Sequence, residues 1–256
     1  MNTFRSIAVL LGAVALASCD KNAVQDITGT LPGARIKFFN FGVNAPQVNF
    51  YANTAKVTAI TSATGVESTV GIGYGSPGAG GFYSALTPGQ YTFAGKIAAT
   101  VDKDVTIATV PATLADGKAY SFYMSGFYDA TAKTVEGFVV EDPFVATIDY
   151  SVAYVRFVNA ISNSSPMTMY AKNTTTLAEV AIGAAVAYKA AGAFTSVPNG
   201  VYDLGTRLAG VTTNAIARTA VSLSAGKVYT ISARGDMTVV STTATNRPFL
   251  DNTANR

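Results

Sequence analysis

Ile36-Lys37-Phe38-Phe39-Asn40 returns further along the chain as Val155-Arg156-Phe157-Val158-Asn159, and each copy is followed by a turn carrying a proline, Pro46 or Pro166. Both stretches read with period two. Ile36 and Phe38 share one face, as Val155 and Phe157 do, while Lys37 and Arg156 point the other way. That alternation predicts strands with one face on a core and one wet face. Working outward, the matches continue in one order. Val48-Asn49-Phe50-Tyr51-Ala52 corresponds to Met167-Thr168-Met169-Tyr170-Ala171, and Phe82 to Tyr91 corresponds to Phe194 to Tyr202. Leu114 to Tyr120 then aligns with Leu223 to Tyr229, and Pro143-Phe144 with Pro248-Phe249. Matches that keep their order argue for duplication, with domains at 34–146 and 152–250 joined around Thr147 to Ser151.

Tyr120, Phe122 and Met124 alternate with Ser121 and Tyr123, and Tyr229, Ile231 and Ala233 with Thr230 and Ser232. Thr176 to Ala191 is alanine-rich, but its β-branched residues and Gly183 disfavour a helix. The expected fold is all-β: two tandem immunoglobulin-like antiparallel β-sandwich domains, each of about seven short strands. The Leu-x-x-Gly-x-x-Tyr spacing at Leu114 and Leu223 is that of a tyrosine corner, in which the phenol bonds back to upstream backbone. An ordinary hairpin turn followed by a core tyrosine has the same spacing.

Among 256 residues only 13% are charged and 49% are hydrophobic, which fits packed strands and excludes a disordered chain. A formal net charge of +3 is far from a nucleic-acid footprint. With no histidine, the chain has no imidazole base for Ser-His-Asp or Cys-His chemistry and no imidazole metal ligand. The single cysteine, Cys19, excludes intrachain disulfides and thiolate clusters.

Residues 1–18 read as an export signal: Arg5 supplies the positive n-region, and the apolar run Ile7 to Ala17 is too short for a membrane span. Leu16-Ala17-Ser18-Cys19 resembles the lipobox of bacterial lipoproteins, which implies that Cys19 is lipidated and opens the mature protein. Buried methylenes, at ~0.8 kcal/mol each, would then supply the membrane anchor. Residues 19–33 read as the lipidated N-terminus and a polar tether. Asp20 resembles an inner-membrane retention signal of some proteobacteria, but the rule is not general, and the expected location is the cell envelope, at the outer membrane or cell surface.

The paired [Ile/Val]-[Lys/Arg]-Phe-x-Asn motifs, the proline turns, the x-Tyr-Ala strand ends and the Leu-x-Pro-Gly-x-Tyr segment resemble the domain-of-unknown-function 4397 family across most of residues 34–235. The resemblance implies a sandwich-like fold outside the cytoplasm, often in tandem copies on bacterial surface or secreted proteins, and carries no established activity. Many members have His where Asn40 and Asn159 stand, so no role of that His transfers. The parity of the two asparagines aims them inward, where each would brace its proline loop.

Other motifs read as structure. The glycines from Gly71 to Gly81 lack the strand, helix and acid of a nucleotide fingerprint and read as a loop. Arg234-Gly235-Asp236 spells an integrin-type tripeptide, yet between strands at 229–233 and 237–243 it reads as a hairpin turn. Asp102-Lys103-Asp104 and Glu141-Asp142 read as solvated turns, too few in oxygens for calcium.

No catalytic residue, metal site or cofactor is expected. The leading expectation is a non-enzymatic envelope lipoprotein, membrane-anchored by its lipid, that binds or spaces a glycan or an envelope protein. The rivals are a carboxylate- or Ser/Lys-dependent hydrolase and a structural subunit of an envelope complex. Tyr51 and Tyr170, outward by parity beside inward Val48, Phe50, Met167 and Met169, are the candidate binding residues.

Overall fold

The computed structural model describes residues 33–58 and 70–255. The expected export signal, Cys19 and all of the expected tether except Gly33 lie outside the described residues, whereas Gly33–Arg256 is one compact unit. Within it the chain is all-β, with four sheets forming two sandwich-like domains. The first domain holds β1 (Ala34–Asn40), β2 (Val48–Ala52), β3 (Ala55–Lys56), β4 (Ser76–Pro77), β5 (Ser84–Leu86), β6 (Gly89–Ile97), β7 (Thr106–Leu114), β8 (Ala119–Asp129) and β9 (Thr134–Glu141). The second holds β10 (Val152–Asn159), β11 (Met167–Asn173), β12 (Glu179–Val186), β13 (Ala190–Ala191), β14 (Thr195–Pro198), β15 (Gly200–Leu208), β16 (Ile216–Leu223), β17 (Val228–Arg234) and β18 (Phe249–Ala254).

The domains share one plan. β4-β1-β8-β9, with β5 also on β1, faces β3-β2-β6-β7; β13-β10-β17-β18, with β14 also on β10, faces β12-β11-β15-β16. Pairings are antiparallel except β1 with β8 and β10 with β17, which run parallel in matching register: Phe38 opposite Phe122, Phe157 opposite Ile231. The described residues give nine strands per domain rather than about seven, and one of the extra strands arises because a turn breaks the strand on the free edge of β1, and of β10, into two short pieces.

Period two places the cores where the sequence puts them. Ile36, Phe38, Val48, Phe50, Phe93 and Phe122 are buried together, with Phe38 stacked on Phe50 at 5.2 Å between ring centroids. Val155, Phe157, Met167, Met169 and Ile231 form the second core. Both tyrosine corners are made: the Tyr120 hydroxyl accepts from the Ala115 N–H at 3.1 Å, and that of Tyr229 from the Ser224 N–H at 3.1 Å. Asn40 and Asn159 are fully buried and brace the proline loops as expected. Asn40 Nδ2 donates to the carbonyls of Pro46 and Ile72, while Asn159 Nδ2 donates to Ser164 Oγ and the Val186 carbonyl.

Three expectations need correction. Residues 237–243 are not a strand, so Arg234-Gly235-Asp236 opens a long connection, and β17 pairs instead with β18. That last strand runs to Ala254, past the boundary at 250. The counterpart of Phe194 is Tyr83 rather than Phe82, because Ser84 pairs with Ile36 as Thr195 pairs with Val155.

Candidate functional site: the seam between the sandwiches

The face expected to be wet is buried. Lys37 is 2% exposed and Arg156 0%, because the outer faces of the β1-β8-β9 and β10-β17-β18 sheets pack against each other. Each cation ends at the far edge of the opposite domain. Lys37 Nζ donates to the Ala254 carbonyl at 3.0 Å and to Asn255 Oδ1 at 3.1 Å, with the ammonium 4.3 Å from the centre of the Tyr83 ring. Arg156 donates to the Glu141 carbonyl at 2.8 Å and to Thr230 Oγ1 at 3.0 Å, and it forms an ion pair with Asp142. Its guanidinium lies 5.0 Å from the centre of the Phe194 ring.

Asp142, expected in a solvated turn, is the buried counter-charge. It accepts from Tyr83 Oη at 2.6 Å and from Ser121 Oγ at 2.8 Å as well as from Arg156, so its carboxylate is fully engaged. Such pairs survive desolvation only when hydrogen bonds complete them. Burial, the largest effect, and secondarily the Arg156 charge push the Lys37 ammonium down to about 8, against the pull of Asp142. Burial first, and then Asp142, drives the Tyr83 phenol well above its ordinary range.

Away from the ions the seam is a size match. Phe39, Phe41, Tyr123 and Phe138 of the first domain fill the space over Val158 and Ala160 of the second. Tyr123 stacks on Phe39 at 4.7 Å and on Phe138 at 5.1 Å, and its hydroxyl meets Ser232 Oγ at 3.2 Å. Further along, Tyr188 Oη meets Ser125 Oγ at 3.0 Å, and the Arg234 guanidinium sits 5.0 Å from the Tyr74 ring. Gly75, with φ at +76°, permits that approach: a Cβ there would lie 2.8 Å from the guanidinium carbon. Arg234 also pairs with Asp251 at 2.5 Å, while Asp236 accepts from Thr238 and Asn163. The tripeptide is therefore tied into the fold.

Beside Lys37 the seam opens into a groove of about 570 Å³, whose lining includes Lys37, Phe82, Tyr83, Lys227, Thr253 and Asn255. Phe82 is 76% exposed and follows a tight 3-10 turn at Gly78–Gly81.

The expected binding tyrosines lie on the outermost sheets, away from the seam. Tyr51 has the predicted parity but is 7% exposed, which corrects the expected open ring. Lys96 covers it at 4.4 Å and Lys56 approaches to 5.7 Å, while the hydroxyl reaches Asp104 at 3.4 Å. Tyr170 is half-buried under Arg207 at 4.2 Å, itself held by both oxygens of Glu179. Long cationic stems from the neighbouring strand cover what a bare alternation leaves open. The residues that sequence reasoning missed are Asp142, Tyr83, Phe82 and Lys227. Among the described residues no helix is long and apolar enough to cross a membrane, and no group of three or more acidic, Cys or His side chains is placed to hold a metal.

No curated protein matches the chain. A family model, Domain of unknown function (DUF4397), matches residues 153–256, the span of β10 through β18. The second sandwich is thus a DUF4397 domain.

Proposed function

We propose that this protein is a non-catalytic lipoprotein of the bacterial envelope, held by a lipid on Cys19, in which two tandem DUF4397-type sandwiches act as one rigid binding or spacer module. Its partner is a glycan or another envelope protein, on the outer membrane or cell surface. The observation that carries this reading is the reciprocal seam. Lys37 and Arg156 each hook the far domain, so the pair presents fixed surfaces and a fixed length rather than two independently moving beads. Rigid placement of this kind suits recognition and spacing.

One arrangement speaks to the rival hydrolase. Lys37 and Ser121 are cross-strand neighbours, the residue types of a Ser/Lys dyad. Yet the Ser121 hydroxyl donates to Asp142 and is 2% exposed, and Lys37 donates to Ala254 and Asn255. Both groups are committed to holding the seam. A structural subunit of an envelope complex stays the second reading, since a rigid spacer serves it equally well.

Cys19→Ser should abolish acylation and release the protein from membranes; a variant still labelled by radioactive palmitate overturns the anchor. Wild-type acyl-free protein should be retained on isolated envelope polysaccharide or by an envelope protein without altering either. Turnover of a polysaccharide or peptide would move the assignment to the hydrolase.

A further inference from the structure

We propose that the groove at the Lys37 edge of the seam binds an acidic glycan, a chain of sugar rings carrying carboxylates. This rests on the binding reading above and narrows it to one site and one ligand chemistry. The argument comes from where the two domains, otherwise alike, differ, because three differences converge on this groove.

First, the acids are gone. Lys118 in the first domain pairs with Glu141 at 2.9 Å, and Asp142 follows. The corresponding residues of the second domain are Lys227, Ala254 and Asn255: Tyr229 pairs with Ala254 as Tyr120 pairs with Glu141. Lys227 is therefore exposed, with no ion-pair partner among the described residues, and the only charged side chains lining the groove are Lys227 and Lys37.

Second, the chain is longer here. Four residues, Ala79 to Phe82, stand between Gly78 and Tyr83, where Ala193 alone separates Gly192 from Phe194. The insert places Ala79 at φ +48°, left-handed backbone that an L-residue adopts only against a steric cost. Third, that strained turn ends in Phe82, whose ring is 76% exposed at the groove wall.

The exposed Lys227 ammonium, the exposed Phe82 ring and the hydroxyls of Ser224 and Thr253 make a surface on which a sugar face can stack while its carboxylate meets Lys227, with the buried Lys37 ammonium adding positive potential to the groove. The volume lies within the usual range of ligand clefts, roughly 300–1,000 Å³. A neutral glycan would leave the Lys227 ammonium without counter-charge, and a positively charged partner would be repelled.

The test uses acyl-free Cys19→Ser protein, titrated calorimetrically with oligogalacturonate and with a neutral cello-oligosaccharide of equal length. Oligogalacturonate should bind, more weakly as salt rises, and the neutral oligomer should not. Lys227→Glu and Phe82→Ala should each weaken binding at least tenfold without lowering the unfolding temperature. Equal affinity for both oligomers, no binding of the acidic one, or wild-type affinity in the Lys227→Glu/Phe82→Ala double variant overturns the proposal. Retention on isolated envelope polysaccharide separates the two levels. If wild type and double variant are retained alike, the groove is wrong and the binding module stands; if neither polysaccharide nor envelope protein is held, both fall.

Discussion

Lys37 and Arg156 hold the same register position in two alike domains, and each spends its charge on the end of the other domain's last strand: Lys37 on Ala254 and Asn255, Arg156 on Glu141 and Asp142. The exchange is symmetric in geometry but not in charge, since only Arg156 meets a carboxylate in direct contact.

Removing one member of the buried pair strands the other. Asp142→Asn or Arg156→Met alone should cost about 3–5 kcal/mol of unfolding free energy, whereas the two together should recover much of the loss, because both desolvation penalties vanish together. Urea denaturation of the four proteins measures it. Additive losses would mean that the two side chains do not depend on each other.

Lys37 makes stability depend on pH. Its folded ammonium titrates at about 8, below its unfolded value of 10.5, so between these values the unfolded chain holds the proton that the folded chain has released. Stability then rises with pH across that window, by at most about 3 kcal/mol, and the penalty of burying the charged form is felt in full below it. Tyr123 and Tyr188, pushed up to about 12 mainly by burial, act oppositely, since the unfolded phenols ionise first as pH passes about 10. The unfolding temperature should therefore climb above pH ~8 and fall again above ~10. Lys37→Met should flatten the climb and leave the fall; a variant that keeps the climb removes Lys37 as its cause.

Most of the fold was legible in the sequence. Both cores, both tyrosine corners and the inward asparagines follow from period two and from turn spacing, which local sequence carries. The seam was not, because alternation shows which residues share a face but not what covers that face. Phe39, Val158 and Tyr123 held the clue, as large apolar groups on the side that Lys37, Arg156 and Ser121 marked as polar. A strand apolar on both parities is a strand buried on both faces. The same gap accounts for Tyr51, whose outward parity was right while its cover came from Lys96, a residue on another strand.

Because Asn40 closes its loop with two donated hydrogen bonds while its Oδ1 accepts from the Gly42 N–H, Asn40→Ala should cost about 1–3 kcal/mol through the unsatisfied groups it leaves. Asn159→Ala should do the same in the second domain. Hydrogen exchange should report the loss in the loops around Pro46 and Pro166. An unchanged exchange pattern in both loops would show that the asparagines do not brace them.

Residues 33–146 and 152–255 each hold a complete core, so either should show β-type circular dichroism alone. Separated, however, the first exposes Phe39, Phe41, Tyr123 and Phe138 as a contiguous apolar patch. It should bind hydrophobic dye and lose solubility, and co-expression with the second should restore a soluble one-to-one complex. Two fully soluble, non-associating halves would mean the seam contributes little.

Differential scanning calorimetry of the acyl-free chain tests the central claim that the seam makes two sandwiches one body. The account predicts a single unfolding transition whose calorimetric and van't Hoff enthalpies agree. It also predicts that Arg156→Met lowers the temperature of that single transition. Two separate transitions in the wild-type protein would contradict it.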